Sequence, residues 1–118
     1  MSTSVFATED QRQTFRAVLT LFNVLRDVEK DMPMSMAAIF AWVALNEGGT
    51  QVELRQALGM PSSTASRNLA ALSKVHRLGK PGHDLIEWVE NPEDRRAKLL
   101  YLTPKGKALV NELLGAVR

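Results

Sequence analysis

The chain has 118 residues, the length of one domain with enough interior for a core. Its hydrophobic content is ordinary for a soluble globular protein, and the absence of cysteine excludes disulfides, thiol redox chemistry and thiolate metal sites. There is no apolar run long enough to span a bilayer and no signal-type start, so the expectation is no membrane partner and a cytoplasmic location. Net charge is only +2, but it is unevenly placed: residues 1–60 carry five bases against seven acids, residues 61–118 ten against six. From Pro61 to His83 there is no acid at all. A polyanion footprint is expected in that half.

After an aperiodic arm to Ala7, Thr8 and Gln11 have the spacing of a capping box, and Glu9 and Asp10 suit a helix N-terminus. A long first helix is expected from there to Glu29. Phe15, Val18, Leu19, Phe22 and Leu25 form one apolar stripe, and Leu21, Val24 and Val28 form a second, offset one. That arc is wider than one core face needs. Either the helix is sunk in its own domain, or the second stripe meets another subunit. Pro33 forces a break. A second helix follows over 35–46, with Ala38, Ile39, Trp42, Val43 and Leu45 as core material. Met32, Met34 and Met36 either line an adaptable pocket or fill gaps in packing.

Residues 50–72 read as two short helices broken once. Thr50 and Glu53 give a second capping-box spacing, and Leu54, Ala57 and Leu58 an apolar stripe. Gly59 falls where a left-handed C-cap is needed, and Pro61 suits the first turn of the next helix. On that helix, expected over 61–76, Ala65, Leu69, Leu72 and His76 point inward. Ser63, Thr64, Arg67, Ala70, Ala71 and Lys74 point outward. A small, polar, basic outer face is what a DNA major groove accepts. Arg77 and Lys80 extend the basic run. Gly79 to Gly82 signal a loop, residues 84–90 a strand, Asn91 to Asp94 a turn, and residues 95–102 the returning strand. Arg95 and Arg96, beside Asp94 at the hairpin tip, suit a minor groove. Thr103 and Pro104 then open a last helix carrying Leu109, Val110, Leu113, Leu114 and Val117.

This order gives a mainly α (α+β) fold. It is a winged helix-turn-helix in one domain over 1–118, with packing or dimerisation helices at 8–29 and 103–117. The helix-turn-helix spans 50–78 and the two-stranded wing 84–102. Leu21, Val24 and Val28, with Leu109, Leu113 and Val117, are the expected homodimer interface.

The stretch Asn91–Gly106, NPEDRRAKLLYLTPKG, resembles the wing of MarR-family transcription regulators: Asp-x-Arg at Asp94 and Arg96, then Leu102, Thr103 and Gly106. Gln51–Leu72 resembles the same family's helix-turn-helix. The resemblance implies a homodimer on double-stranded DNA with a pseudopalindromic operator, usually as a repressor. It implies base contacts from Ser62, Ser63, Thr64, Ser66 and Arg67, and a minor-groove contact from Arg96 oriented by Asp94. Some members are released by small aromatic ligands; this sequence names no effector and implies no cofactor. Two features depart from the family. The link Ser73–Asp84 is longer, so that Lys80 and Arg77 fall on added chain, and Asp84 and Trp88 stand where Gly and Arg are usual. The segment after the wing is also shorter.

Two other functions compete with this reading. An enzyme lacks support, because His76 and His83 have no partner at catalytic or metal-binding spacing and no Gly-rich phosphate loop is present. A winged helix used as a protein-binding adaptor or inhibitor is the serious rival, because fold alone does not set function. Arg67, Lys74, Arg95 and Arg96 on the outer surface favour DNA over an apolar partner.

Overall fold

The computed structural model describes residues 4–74 and 79–117, together with the backbone but not the side chains of Arg95 and Arg96. His76 and Arg77 lie outside the described residues. The elements are α1 (Glu9–Val28), α2 (Met34–Leu45), α3 (Gln51–Leu58), α4 (Ser62–Leu72), β1 (Ile86–Asn91), β2 (Asp94–Leu102) and α5 (Pro104–Ala116). This is the winged helix expected from the sequence.

The helix starts follow from local chemistry. Thr50 closes a full capping box: its hydroxyl accepts the Glu53 N–H at 3.2 Å, and Glu53 Oε1 accepts the Thr50 N–H at 3.0 Å. Thr8 accepts from Gln11 N–H, but the reciprocal bond from Gln11 goes to the N–H of Ala7. Gly59 is the C-cap of α3, with φ 59° and ψ 42°, a left-handed conformation open to glycine at no steric cost. Pro61 is the N-cap of α4, one position earlier than expected. Thr103 caps α5 through Gly106 N–H, with Pro104 in its first turn.

The core is built by α2 (Met36, Ile39, Phe40, Val43), Leu54 of α3, α4 (Ala65, Leu69, Leu72) and Leu109 of α5. Leu85, Ile86, Leu100 and Leu102 close it from the wing side. Four expectations fail at single residues, one of them Ala71, expected outward but packed against the core. Leu45 is exposed, because it lies at the last position of α2, past the layer where α4 packs. Ala57 is exposed, leaving Leu54 and Leu58 as the inward stripe of α3. Ala70 is buried rather than outward, in the turn over which the chain folds back after α4.

The wing is a two-stranded antiparallel sheet pairing Ile86 with Leu102 and Glu90 with Lys98, with an irregularity at Glu90/Asn91. Asp84 and Leu85 precede the strand rather than opening it. β2 is fastened to the turn before α3, since Gly48 N–H donates to Leu100 O at 2.8 Å and Leu100 N–H to Gly49 O at 2.9 Å. Leu102 N–H adds a bond to Glu47 Oε1 at 2.8 Å. The wing and the helix-turn-helix therefore share one hydrogen-bonded frame.

α1 stands apart from this frame. None of its residues is buried. Val24 and Val28 of the second stripe pack on the chain's own core, whereas Phe15 (58% exposed), Leu19 (58%) and Phe22 (43%) of the first stripe face outward. That reverses the assignment read from the sequence: a stripe is visible in the pattern, but which neighbour covers it is not. α1 packs mainly on α5, where Leu109 is in the core, Leu113 is half-covered, and Leu114 and Val117 are exposed.

Candidate functional site

The outer face of α4 is presented by a helix braced on three sides. Ala65, Leu69 and Leu72 are inside. Asn68, three residues from Ala65 and four from Leu72, is also buried, and its side-chain N–H₂ donates to Ser35 Oγ at 3.0 Å and to Thr64 O at 3.1 Å. It ties α4 to the start of α2. Gln51 Nε2 donates to Ser66 Oγ at 2.9 Å, tying α4 to the start of α3. At the far end, the carbonyls of α4 that have no helical partner are taken up by the returning link. The N–H groups of Gly82, His83, Asp84 and Leu85 donate to the carbonyls of Lys74, Ala71, Ser73 and Leu72. Gly82 approaches so closely that a Cβ there would fall 1.8 Å from Ser73 O.

Of the residues expected to contact bases, Ser62, Ser63 and Arg67 are exposed, Thr64 is half-exposed, and Ser66 is half-buried with its acceptor already used by Gln51. The hydroxyl proton of Ser66 remains available. Sequence reasoning overlooked Gln51 and Asn68. The helical spacing of Asn68 placed it inward, but its polarity hid it. Lys74 is exposed, yet it shares a groove with Asp84 and Glu87, which lowers the potential it presents to a polyanion.

At the wing tip, Asn91 Oδ1 accepts the Glu93 N–H at 3.0 Å and shapes the turn, and Asp94 is exposed. Arg95 and Arg96 follow directly on β2; their side chains lie outside the described set. The wing surface is not uniformly basic. Lys98 lies opposite Glu90 and 5.2 Å from the Trp88 ring centroid, and Glu87 and Glu90 are exposed on β1. Val52, Trp88 and Val89 leave apolar surface beside them.

A cavity of 290 Å³ opens between the end of α1 and the start of α2, lined by Phe22, Leu25, Arg26, Lys30, Met32 and Met34 among others. Of the three methionines, Met32 and Met34 line this cavity and Met36 fills the core. Among the described residues, no helix is long and apolar enough to cross a membrane, and no group of three or more His, Asp or Glu could hold a metal ion.

No family model and no curated protein matches the chain. Solved structures do. The transcriptional repressor CouR, bound to a 23-mer DNA duplex, superposes with a TM-score of 0.64 at 24% identity, over 91% of this chain and 68% of that one. A cysteine-to-serine variant of MarR from E. coli, complexed with operator DNA, gives 0.64 at 20% identity, over 92% and 67%. A MarR family transcription regulator gives 0.58 at 28% identity, over 91% and 72%. With four helices, a hairpin and a closing helix, the chain shares the winged-helix fold of these MarR-family structures.

Proposed function

We propose that the protein is a sequence-specific, double-stranded-DNA-binding transcription regulator. It acts as a homodimer on a pseudopalindromic operator, as a repressor. α4 reads the major groove through Ser62, Ser63, Thr64 and Arg67, and the wing reaches the minor groove through Arg96, oriented by Asp94. The observation that carries this reading is the outer face of α4. It is small, polar and basic, it lies in an acid-free stretch from Pro61 to His83, and it is presented by a helix anchored at both ends. The two DNA-bound structures of the same fold support it. In the same reading, the cavity at the α1/α2 junction takes a small effector with an apolar body and an anionic group, because its walls are apolar apart from Arg26, Lys30 and Asp31.

One observation favours the rival reading. Val52, Trp88 and Val89 expose apolar surface beside the site, which suits a protein partner. Selection of bound duplexes from a random DNA pool separates the two. The proposal expects a palindromic consensus and a loss of affinity on the order of 10³–10⁵ between 50 and 200 mM salt, for ~6–10 phosphate contacts in the dimer. Failure to enrich any duplex at low salt would overturn it in favour of the adaptor.

A further inference from the structure

Residues 82–85 are where three helices meet. Their N–H groups take up the carbonyls of Ala71, Leu72, Ser73 and Lys74, at and just past the end of α4. Their carbonyls hold the start of α5: Thr103 Oγ1 donates to Asp84 O at 2.6 Å, and Thr103 N–H donates to Leu85 O at 3.1 Å. The third connection reaches α1. His83 Nε2 lies 2.8 Å from Oε1 of Glu29, the C-cap residue of α1, and both side chains are half-buried. Among the described residues, no other side-chain hydrogen bond joins residues 4–33 to the rest of the molecule. The packing of α1 is partial: it has no buried residue, and Val24 and Val28 rest on the core beside its contact with α5.

We propose that His83 is a positioning residue for two-site DNA recognition. Through Glu29 it sets the angle between α1 and the unit that carries α4, and thereby the half-site spacing that a dimer accepts. This rests on the function proposed above, with α1 and α5 forming the dimer. Small displacements are enough to matter: recognition helices in such dimers stand about 34 Å apart, and a spacing change of about one base pair needs each protomer's helix to move along the DNA by only about 1.7 Å. His83 touches no base in this scheme, and its loss should leave the preferred bases unchanged.

The test uses the full chain and duplexes carrying the selected half-sites, with centre-to-centre spacing changed by one and two base pairs. For the unmodified protein each step off the optimum should cost on the order of tenfold or more. In His83→Ala, affinity at the optimum should fall about threefold to tenfold, the scale of one hydrogen bond. The penalty at neighbouring spacings should shrink while base preference within each half-site stays the same. His83→Gln, whose amide can still donate to Glu29, should restore the penalty. If His83→Ala does not fold, Glu29→Ala is read in its place, because it leaves the link sequence intact. Unchanged spacing penalties, or a changed base preference, would overturn the inference. An unmodified protein that selects no duplex, or that binds as a monomer, breaks the underlying reading instead and removes the basis for this one.

Discussion

Asp84 carries the clearest single-residue departure from the pattern its neighbours resemble. It holds φ 56°, a left-handed conformation in which only glycine is free of steric cost and Asp is tolerated. Its N–H and carbonyl are both engaged, with Ser73 and Thr103, so the backbone has no freedom to relax. Asp84→Gly relieves native strain but adds unfolded-state entropy, and should stabilise by only about 0.5 kcal/mol. Asp84→Val should cost about 1–3 kcal/mol, because a β-branched side chain is strained there. Urea unfolding of the two variants reads both; a Val variant as stable as the parent would mean that the link is not held as described. Ser66 and Arg67 show the same dependence on setting. They are adjacent on α4, yet one is bound to Gln51 and the other is exposed. Gln51→Ala should therefore lower stability by about 0.5–1.5 kcal/mol, the net worth of one hydrogen bond, as measured by the same method.

The starts of α3 and α5 and the end of α3 were the most legible features of this sequence, because each is set within four residues; the end of α4 was not, since the helix expected over 61–76 stops at Leu72. Thr50 with Glu53, Gly59, and Thr103 before Pro104 name their roles by type and spacing. Thr50→Ala removes the hydroxyl half of the capping box, leaving the backbone N–H of residue 50 on Glu53, and should cost about 1 kcal/mol in thermal or urea unfolding, within the usual range of 0.5–2. Loss of stability within error of zero would show that α3 is held by packing alone. What the sequence left hidden depends on distant partners. The bond between Glu29 and His83 joins residues 54 apart, and no local pattern encodes it. The closing of 82–85 over the end of α4 is likewise tertiary; Gly82 marked a loop but not the helix end it lies against. Of the candidate site, the outward position of Ser63 and Arg67 was readable from helical period. The Gln51 contact at Ser66 and the carboxylates beside Lys74 were not, because both come from other elements.

At the scale of the molecule, the frame of helix-turn-helix and wing is distinct from α1. The helix-turn-helix and wing are joined by hydrogen bonds through Gly48, Gly49 and Glu47, whereas α1 presents Phe15, Leu19 and Phe22 to the outside. Three large apolar side chains on one helix form a surface suited to a second copy of the chain, and Leu114 and Val117 of α5 are exposed as well. Leu19→Glu should leave the monomer folded, since Leu19 is outside the core, and shift sedimentation at micromolar concentration from dimer to monomer. Unchanged sedimentation of this variant as a dimer would place the interface elsewhere. The central claim is that the outer face of α4 reads DNA, and it is tested most directly at Arg67, whose planar fork can hold guanine O6 and N7 together. The measurement is equilibrium binding of the unmodified protein and of Arg67→Ala to the selected duplex and to its single-base-pair changes. Arg67→Ala should lose about 1–3 kcal/mol and relax the preference at one base pair of each half-site; unchanged affinity together with an unchanged preferred sequence would contradict the assignment of α4 as the reading helix.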